Sequence, residues 1–190
     1  MKDSSQYLRF IKEMEQLKNV TRTAWTSDGH RESTAEHTWR LSLLAGLMLN
    51  EFPCLDGKKV LLMALVHDIG ELYDGDISAA ELPDSVLKYK EESEAVQRAV
   101  SLLGQPLRTQ ITELWEEYEK GETEEARLVK ALDKAETIIQ HNQGQNPADF
   151  DYEFNLDYGK TLFKGSEILE DLRTRIDAET QQSIEKKDKR

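Results

Sequence analysis

A single cysteine, Cys54, is all the thiol chemistry this 190-residue chain carries. No intrachain disulfide can form, so a reducing, cytoplasmic setting is the expected compartment. Long apolar runs are missing too. None approaches the roughly 20 residues of a membrane span, and Met1-Lys2-Asp3-Ser4-Ser5 leads into an amphipathic pattern, not a signal peptide. Basic residues are outnumbered, 25 Lys and Arg against 37 Asp and Glu, for a formal net charge of −12. A surface that acidic repels polyanions, and no basic stripe with interleaved aromatics is visible. Nucleic acid polymers and anionic membranes are therefore poor partners. A small phosphorylated ligand is still allowed, because a metal and one or two local cations can reverse the field inside a pocket. Strand-like alternation of any length is absent, as are internal repeats.

What is present is helical periodicity. With 38% hydrophobic and 33% charged residues the chain fits one globular domain. Tyr7, Phe10, Ile11, Met14 and Leu17 form a helical stripe over Ser5 to Lys18. Asn19 to Glu32, with the turn pair Asp28-Gly29, reads as a long loop. Ser33-Thr34-Ala35-Glu36 reads as a capping box for a helix ending near Phe52, before Pro53. His37, Leu41, Leu44 and Met48 share a face there, so a histidine takes an inward position where an apolar residue is expected. Asp56-Gly57 opens the next helix, in which Val60, Met63, Ala64 and His67 align, ahead of a glycine break at Gly70. The chain is then irregular to Pro83, a residue suited to a helix start, and helical from about Asp84 to Leu103. Pro106 restarts a helix with Leu107, Ile111, Leu114, Trp115 and Tyr118, broken at Gly121. From Thr123 to about Gln143, Leu128, Leu132, Ala135 and Ile139 form a core face flanked by Val129, Asp133 and Glu136. Gly144 to Asn155 is loop. A last helix begins near Asp157 and uses Leu162, Leu169, Leu172 and Ile176. The expectation is an all-α, single-domain helical bundle over residues 1–176, with a polar, frayed tail over 177–190.

The chemistry concentrates in His67-Asp68-Ile69-Gly70-Glu71-Leu72-Tyr73-Asp74-Gly75-Asp76. A His-Asp dipeptide alone is a weak motif. Its place at the end of an apolar helix strengthens it, although a neutral core histidine bonded to a carbonyl also explains His67. Asp133 lies between Lys130 and Lys134, where a rim ion pair is an ordinary explanation. Together, His37, His67, Asp68 and Asp133 offer two imidazoles and two carboxylates from three helices. Such mixed N/O ligation suits one Mn²⁺, Co²⁺, Fe²⁺ or Zn²⁺ more than Ca²⁺. Without cysteines the set does not match a structural zinc site.

These residues carry a resemblance. His37…His67-Asp68…Asp133 resembles the H…HD…D signature of the HD-domain metal-dependent phosphohydrolase superfamily. The segments Leu17 to Trp25 (with Arg-Thr-Ala-Trp), Ser33 to Arg40 (STAEHTWR) and His67 to Asp76 (HDIGELYDGD) are similar to its 5′-deoxynucleotidase branch. The likeness covers about Tyr7 to Gln143. It implies that His37, His67, Asp68 and Asp133 ligate a divalent cation: Co²⁺ or Mn²⁺, or another such as Fe²⁺, Zn²⁺ or Mg²⁺. It implies a phosphate-orienting role for Arg22, where the guanidinium fork fits, and proton handling by Glu71 or Asp76. Arg22, Thr23, Asp68, Asp76, Ile77, Ser78, Ala79 and Asp133 are the implied substrate contacts. The motif arginine is followed by Thr23 where the bacterial enzyme has Trp, and Ile77-Ser78-Ala79 replaces Leu-Pro-Thr, so base and sugar preference stay open. The implied activity is hydrolysis of (deoxy)nucleoside 5′-monophosphates. A non-catalytic metal- and nucleotide-binding regulatory module is the alternative, and a site-free helical interaction protein a third. A homodimer is implied by resemblance; Trp115 and Tyr118 favour ordinary core over an intersubunit contact. His30 and His141 match nothing in the motif.

Overall fold

The computed structural model describes residues 4–77 and 84–189. Eight helices follow in order: α1 (Ser5–Met14), α2 (Thr34–Met48), α3 (Gly57–Val66), α4 (Ser85–Val100), α5 (Leu107–Lys120), α6 (Glu124–Gln143), the short α7 (Phe154–Asp157) and α8 (Glu167–Asp188). The central layer is α2, α3 and α6, whose inward faces bury Leu41, Ala45, Val60, Met63, Leu132 and Ile138 completely. On one side α5 packs against α3 and α6; on the other α8 crosses α6.

Local chemistry sets the helix ends. Ser33 caps α2 in the expected box: its Oγ accepts from Glu36 N at 3.3 Å, and Ser33 N donates to Glu36 Oε2 at 2.7 Å. Asp56 caps α3 through Lys59 N, and Thr123 caps α6 through Ala126 N. Gly121 ends α5 with φ +63°, a left-handed conformation that costs glycine little. After α3 the chain tightens into a 3-10 turn, His67–Glu71. Gly70 in that turn meets α4 so closely that a Cβ would stand 2.7 Å from Glu92 Cβ.

The structure departs from expectation in several places. Part of the expected loop is an antiparallel ribbon, β1 (Thr21–Trp25) with β2 (Arg31–Ser33), in register Thr21 with Ser33 and Trp25 with Arg31. β1 alternates in burial, with Arg22 and Ala24 inside, and docks on α6, where Gln140 Nε2 donates to Trp25 O at 2.6 Å. The first stripe is only partly core: Phe10 and Met14 pack against it, but Tyr7, Leu8 and Ile11 are exposed because α1 lies at the periphery. The last helix does not start at Asp157. Gly159 (φ +62°) and Gly165 (φ +89°) divide that region into α7, a 3-10 turn over Lys160–Phe163, and α8.

The tail expected to fray over 177–190 instead continues α8 to Asp188. Thr180 is fully buried and donates to Asn142 Oδ1 at 3.0 Å, while Lys187 Nζ donates to Phe150 O at 2.9 Å. Polar residues hold that helix through specific partners on α6 and the loop before α7. The Pro83 helix start falls outside the described residues; α4 is capped by Asp84, which accepts from Val86 N and Leu87 N.

Candidate metal centre and substrate pocket

His37 enters from the first turn of α2, His67 and Asp68 from the 3-10 turn after α3, and Asp133 from the middle of α6. The ligand-capable atoms of His37, His67 and Asp133 all lie within 4.8 Å of one another. His37 Nε2 is 3.1 Å from Asp133 Oδ1 and 3.7 Å from Asp68 Oδ2; His67 Nε2 is 3.0 Å from Asp68 Oδ1. The four side chains thus close on one point.

Their outer contacts fix which atoms face that point. His67 Nδ1–H donates to Ala64 O at 2.9 Å, leaving Nε2 aimed inward. His37 Nδ1 is bonded to buried Glu136, whose other oxygen accepts from Arg40 Nε. Asp133 Oδ2 accepts from Tyr118 OH at 2.8 Å and Lys134 Nζ at 2.7 Å, which turns Oδ1 toward His37. Carboxylate-held histidines and hydrogen-bonded carboxylates are the usual outer contacts of a ligating set.

Hydrogen bonding tests whether these residues fit a cation. His37 Nε2, His67 Nε2 and Asp68 Oδ2 are buried with no hydrogen-bond partner. Buried polar atoms left this way cost about 1–3 kcal/mol each, and here they face one another as lone pairs. A divalent cation satisfies all of them, so the donor set fits. His37 is pushed up to about 10: burial and Arg22 oppose its charge, but Glu136 and Asp133 outweigh them. Asp68 is held down at about 2; burial opposes its ionisation, and His67, His37 and Arg22 outweigh that.

Beside the centre lies a cavity of about 290 Å³. Arg22, Thr23, Asp76 and Ile77, together with His67, Asp68, Glu71 and Asp133, line it. His37 sits behind them, fully buried. Ser78 and Ala79 lie outside the described residues.

Arg22 is no solvated loop arginine. Its Nη2 donates to Thr137 Oγ1 at 2.9 Å, Nη1 is 3.7 Å from Asp68 Oδ2, and Nε is 3.4 Å from Glu32 Oε2. Burial alone would lower its pKa, but Asp68, Asp76, Glu71 and Asp133 hold it protonated. Glu32 is raised to about 7, chiefly by burial and Glu136. Glu71, also buried, accepts from Thr34 Oγ1 at 3.2 Å. Burial, with Asp68 and Asp76 beside it, raises its pKa well above the carboxylate range. The two neighbouring carboxylates thus have pKa values driven apart, Asp68 down and Glu71 up.

The histidines outside the motif divide. His30 is exposed at the surface, between Asp28 and Glu36. His141 lines the cavity and binds Asn155 Oδ1 at 2.8 Å. Trp115 and Tyr118 are buried core, so they form no surface contact. Sequence reasoning gave no site role to Glu136, Tyr118, Thr137 or Glu32. Glu136 carried a readable signal: three residues after Asp133 on one helix, it must share that face.

Comparison with known proteins places the chain in a family. The HD-domain family profile matches residues 14–173. The 5′-deoxynucleotidase HDDC2 of Mus musculus is 38% identical over 138 residues, 72% of this chain and 68% of that protein. The Homo sapiens protein of the same name is 36% identical, over 72% and 67% respectively. The crystal structure of a predicted metal-dependent phosphohydrolase from Magnetospirillum magnetotacticum MS-1 superposes with a TM-score of 0.79 at 26% identity, covering 96% of this chain and 97% of that one. The match spans the ribbon, the helical core and every residue of the centre, and the chain belongs to the HD-domain family.

Proposed function

We propose that this protein is a metal-dependent phosphomonoesterase that hydrolyses (deoxy)nucleoside 5′-monophosphates to nucleoside and phosphate. The observation that carries the reading is the convergence of inward-facing His37 Nε2, His67 Nε2 and Asp68 Oδ2, with Asp133, on the floor of a cavity that also holds Arg22. The names of the relatives, 5′-deoxynucleotidases in animals and yeasts, support the substrate class.

His37, His67, Asp68 and Asp133 would hold one divalent cation, Co²⁺ or Mn²⁺ before Fe²⁺, Zn²⁺ or Mg²⁺. Bound there, it supplies Lewis acidity toward the phosphoryl group and lowers the pKa of water. Arg22, protonated and fixed by Thr137, binds a phosphate oxygen and orients the ester for in-line displacement. Glu71 holds a proton at its carboxyl and passes it to the leaving 5′-oxygen as the ester bond breaks, directly or through Asp76, since the two carboxyls interact, and the proton given up by the attacking water restores it. Asp76 and Ile77 meet the sugar, and Thr23 stands at the base end. Ser78 and Ala79, implied by resemblance as substrate contacts, lie outside the described residues. Asp68 and Asp133 would meet the phosphate only through the cation they hold.

Two further assignments belong to this proposal. The chain is a homodimer, a reading supported by the apolar Trp39, Leu43 and Leu47 exposed on successive turns of α2, and it resides in the cytoplasm, supported by its single free cysteine. Among the described residues no helix is long and apolar enough to cross a membrane. The test is phosphate release from a panel of deoxynucleoside and ribonucleoside 5′-monophosphates with Co²⁺ or Mn²⁺ added. Release from the metal-loaded protein is expected. Tight nucleotide binding with no release would replace the enzyme with a regulatory module.

A further inference from the structure

The α6 wall of the cavity carries two cations. Lys130 and Lys134 stand one helical turn apart, and both line the cavity. Like charges at that spacing weaken a helix. Long cationic side chains ordinarily run out to solvent, yet both are half-buried.

Lys134 is directed by its surroundings. It donates to Asp133 Oδ2 at 2.7 Å, and its ammonium is 5.1 Å from the Tyr158 ring centre. Gly159, with φ +62°, comes so close that a Cβ there would lie 2.6 Å from Lys134 Cγ. One donor of the ammonium serves Asp133 and a second the Tyr158 hydroxyl; a lysine has three. Lys130 forms no ion pair among the described residues. Its ammonium lies over the Tyr118 ring, 4.1 Å from its centre. That ring is 5.0 Å from the His67 ring, and its hydroxyl holds Asp133. Burial, with Lys134 beside it and Glu119 opposing, lowers the Lys130 pKa, the mark of a cation whose hydration has not been replaced. With Arg22 bound to Thr137, three cations run along one face of α6, at the height of Lys130, Lys134 and Thr137.

We propose that Lys130 and Lys134 extend the phosphate subsite begun by Arg22 and make it selective for a dianionic phosphate monoester over a monoanionic diester. The proposal rests on reading the cavity as a phosphate-ester site. Asp68 and Asp133 would balance the cation's own two charges, so Arg22 meets one negative charge of the ester and the lysine pair meets the second. A diester has no second charge to offer, so it gains little from that wall.

Calorimetric titration of Co²⁺-loaded protein with methyl phosphate and with dimethyl phosphate, at about pH 8 where the monoester is a dianion, tests this without turnover. The wild type binds methyl phosphate at least about tenfold tighter. Lys130→Gln and Lys134→Gln each weaken methyl phosphate by about tenfold and leave dimethyl phosphate within about twofold. A Co²⁺ titration of Lys130→Gln, which touches no proposed ligand, matches wild type and excludes a structural cause. Unchanged methyl phosphate affinity in Lys130→Gln, an equal loss for both ligands, or no monoester preference in the wild type overturns the proposal. Phosphate release by the wild type together with any of those outcomes leaves the hydrolase reading standing. Selective monoester binding with no release has the opposite meaning.

Discussion

Replacing Glu136 with glutamine separates the outer support of the centre from its ligands. Glu136 is 1% exposed; it holds His37 Nδ1–H with one oxygen and Arg40 Nε–H with the other. Burial disfavours its charge, but His37, Arg40 and Arg22 keep it ionised. Glutamine preserves the volume and can still accept from His37. It removes the negative charge that makes Nε2 a stronger donor, and it can offer an amide N–H toward a guanidinium that only donates. Loss of such an outer partner typically weakens metal binding 10- to 100-fold, about 1.4–2.8 kcal/mol. The stability cost is smaller than for a fully buried ion pair, because the Arg40 side chain is 27% exposed and water can replace part of what it loses. About 1–2 kcal/mol is expected. Co²⁺ affinity followed by visible absorption, with thermal melts of the metal-free protein, measures both. Wild-type Co²⁺ affinity in Glu136→Gln would refute the reasoning, since all four proposed ligands remain.

Three other perturbations probe different parts of the structure. Ser33→Ala removes the α2 cap and should cost about 1 kcal/mol, a drop of about 2–4 °C in melting temperature; an unchanged melt contradicts the capping box. Gly159→Ala forces a left-handed conformation costing about 1–2 kcal/mol and presses on Lys134, so both the melt and methyl phosphate affinity should fall; a stabilised variant would contradict it. His141 gives a pH signature. Burial, assisted by Arg22 and opposed by the Asn155 hydrogen bond, lowers its pKa from 6.5. The unfolded chain therefore binds the proton more readily, so the His141 contribution is full above about 6.5. It is lost as pH falls through the folded pKa. The stability difference between wild type and His141→Gln should shrink on acidification, and a difference constant between about pH 7 and pH 5 would rule this out.

Much of the helical frame was legible because its stops are local chemistry. Ser33 with Glu36, Asp56, Gly121 and Thr123 each act within one turn, so their signals survive in the linear chain. His37 stood out because it interrupts an apolar stripe, and it is fully buried as that position requires. The β1–β2 ribbon was hidden because its inward face holds Arg22 and Glu32, a charged pair compensated by distant partners. Periodicity in hydrophobicity cannot reveal a strand whose buried side is ionic. Leucine spacing likewise passed over Gly159 and Gly165, where backbone conformation decides. The α8 tail looked disordered because its contacts are polar, Thr180 to Asn142 above all. At the site, motif residues were visible but, Glu136 apart, their support was not: Tyr118, Lys134 and Thr137 act through side-chain bonds that only the packed helices create.

The central claim is that His37, His67, Asp68 and Asp133 hold one cation that the hydrolysis of a nucleoside 5′-monophosphate requires. Measuring Co²⁺ stoichiometry and phosphate release side by side in wild type and Asp68→Ala tests it most directly. Asp68 Oδ2 is a buried acceptor with no hydrogen-bond partner, 3.7 Å from both His37 Nε2 and Arg22 Nη1, so its removal takes away a ligand without breaking a hydrogen bond of that atom. One Co²⁺ per wild-type chain with phosphate release, and loss of both in Asp68→Ala, is the predicted result. Full Co²⁺ loading and undiminished release by Asp68→Ala would contradict it.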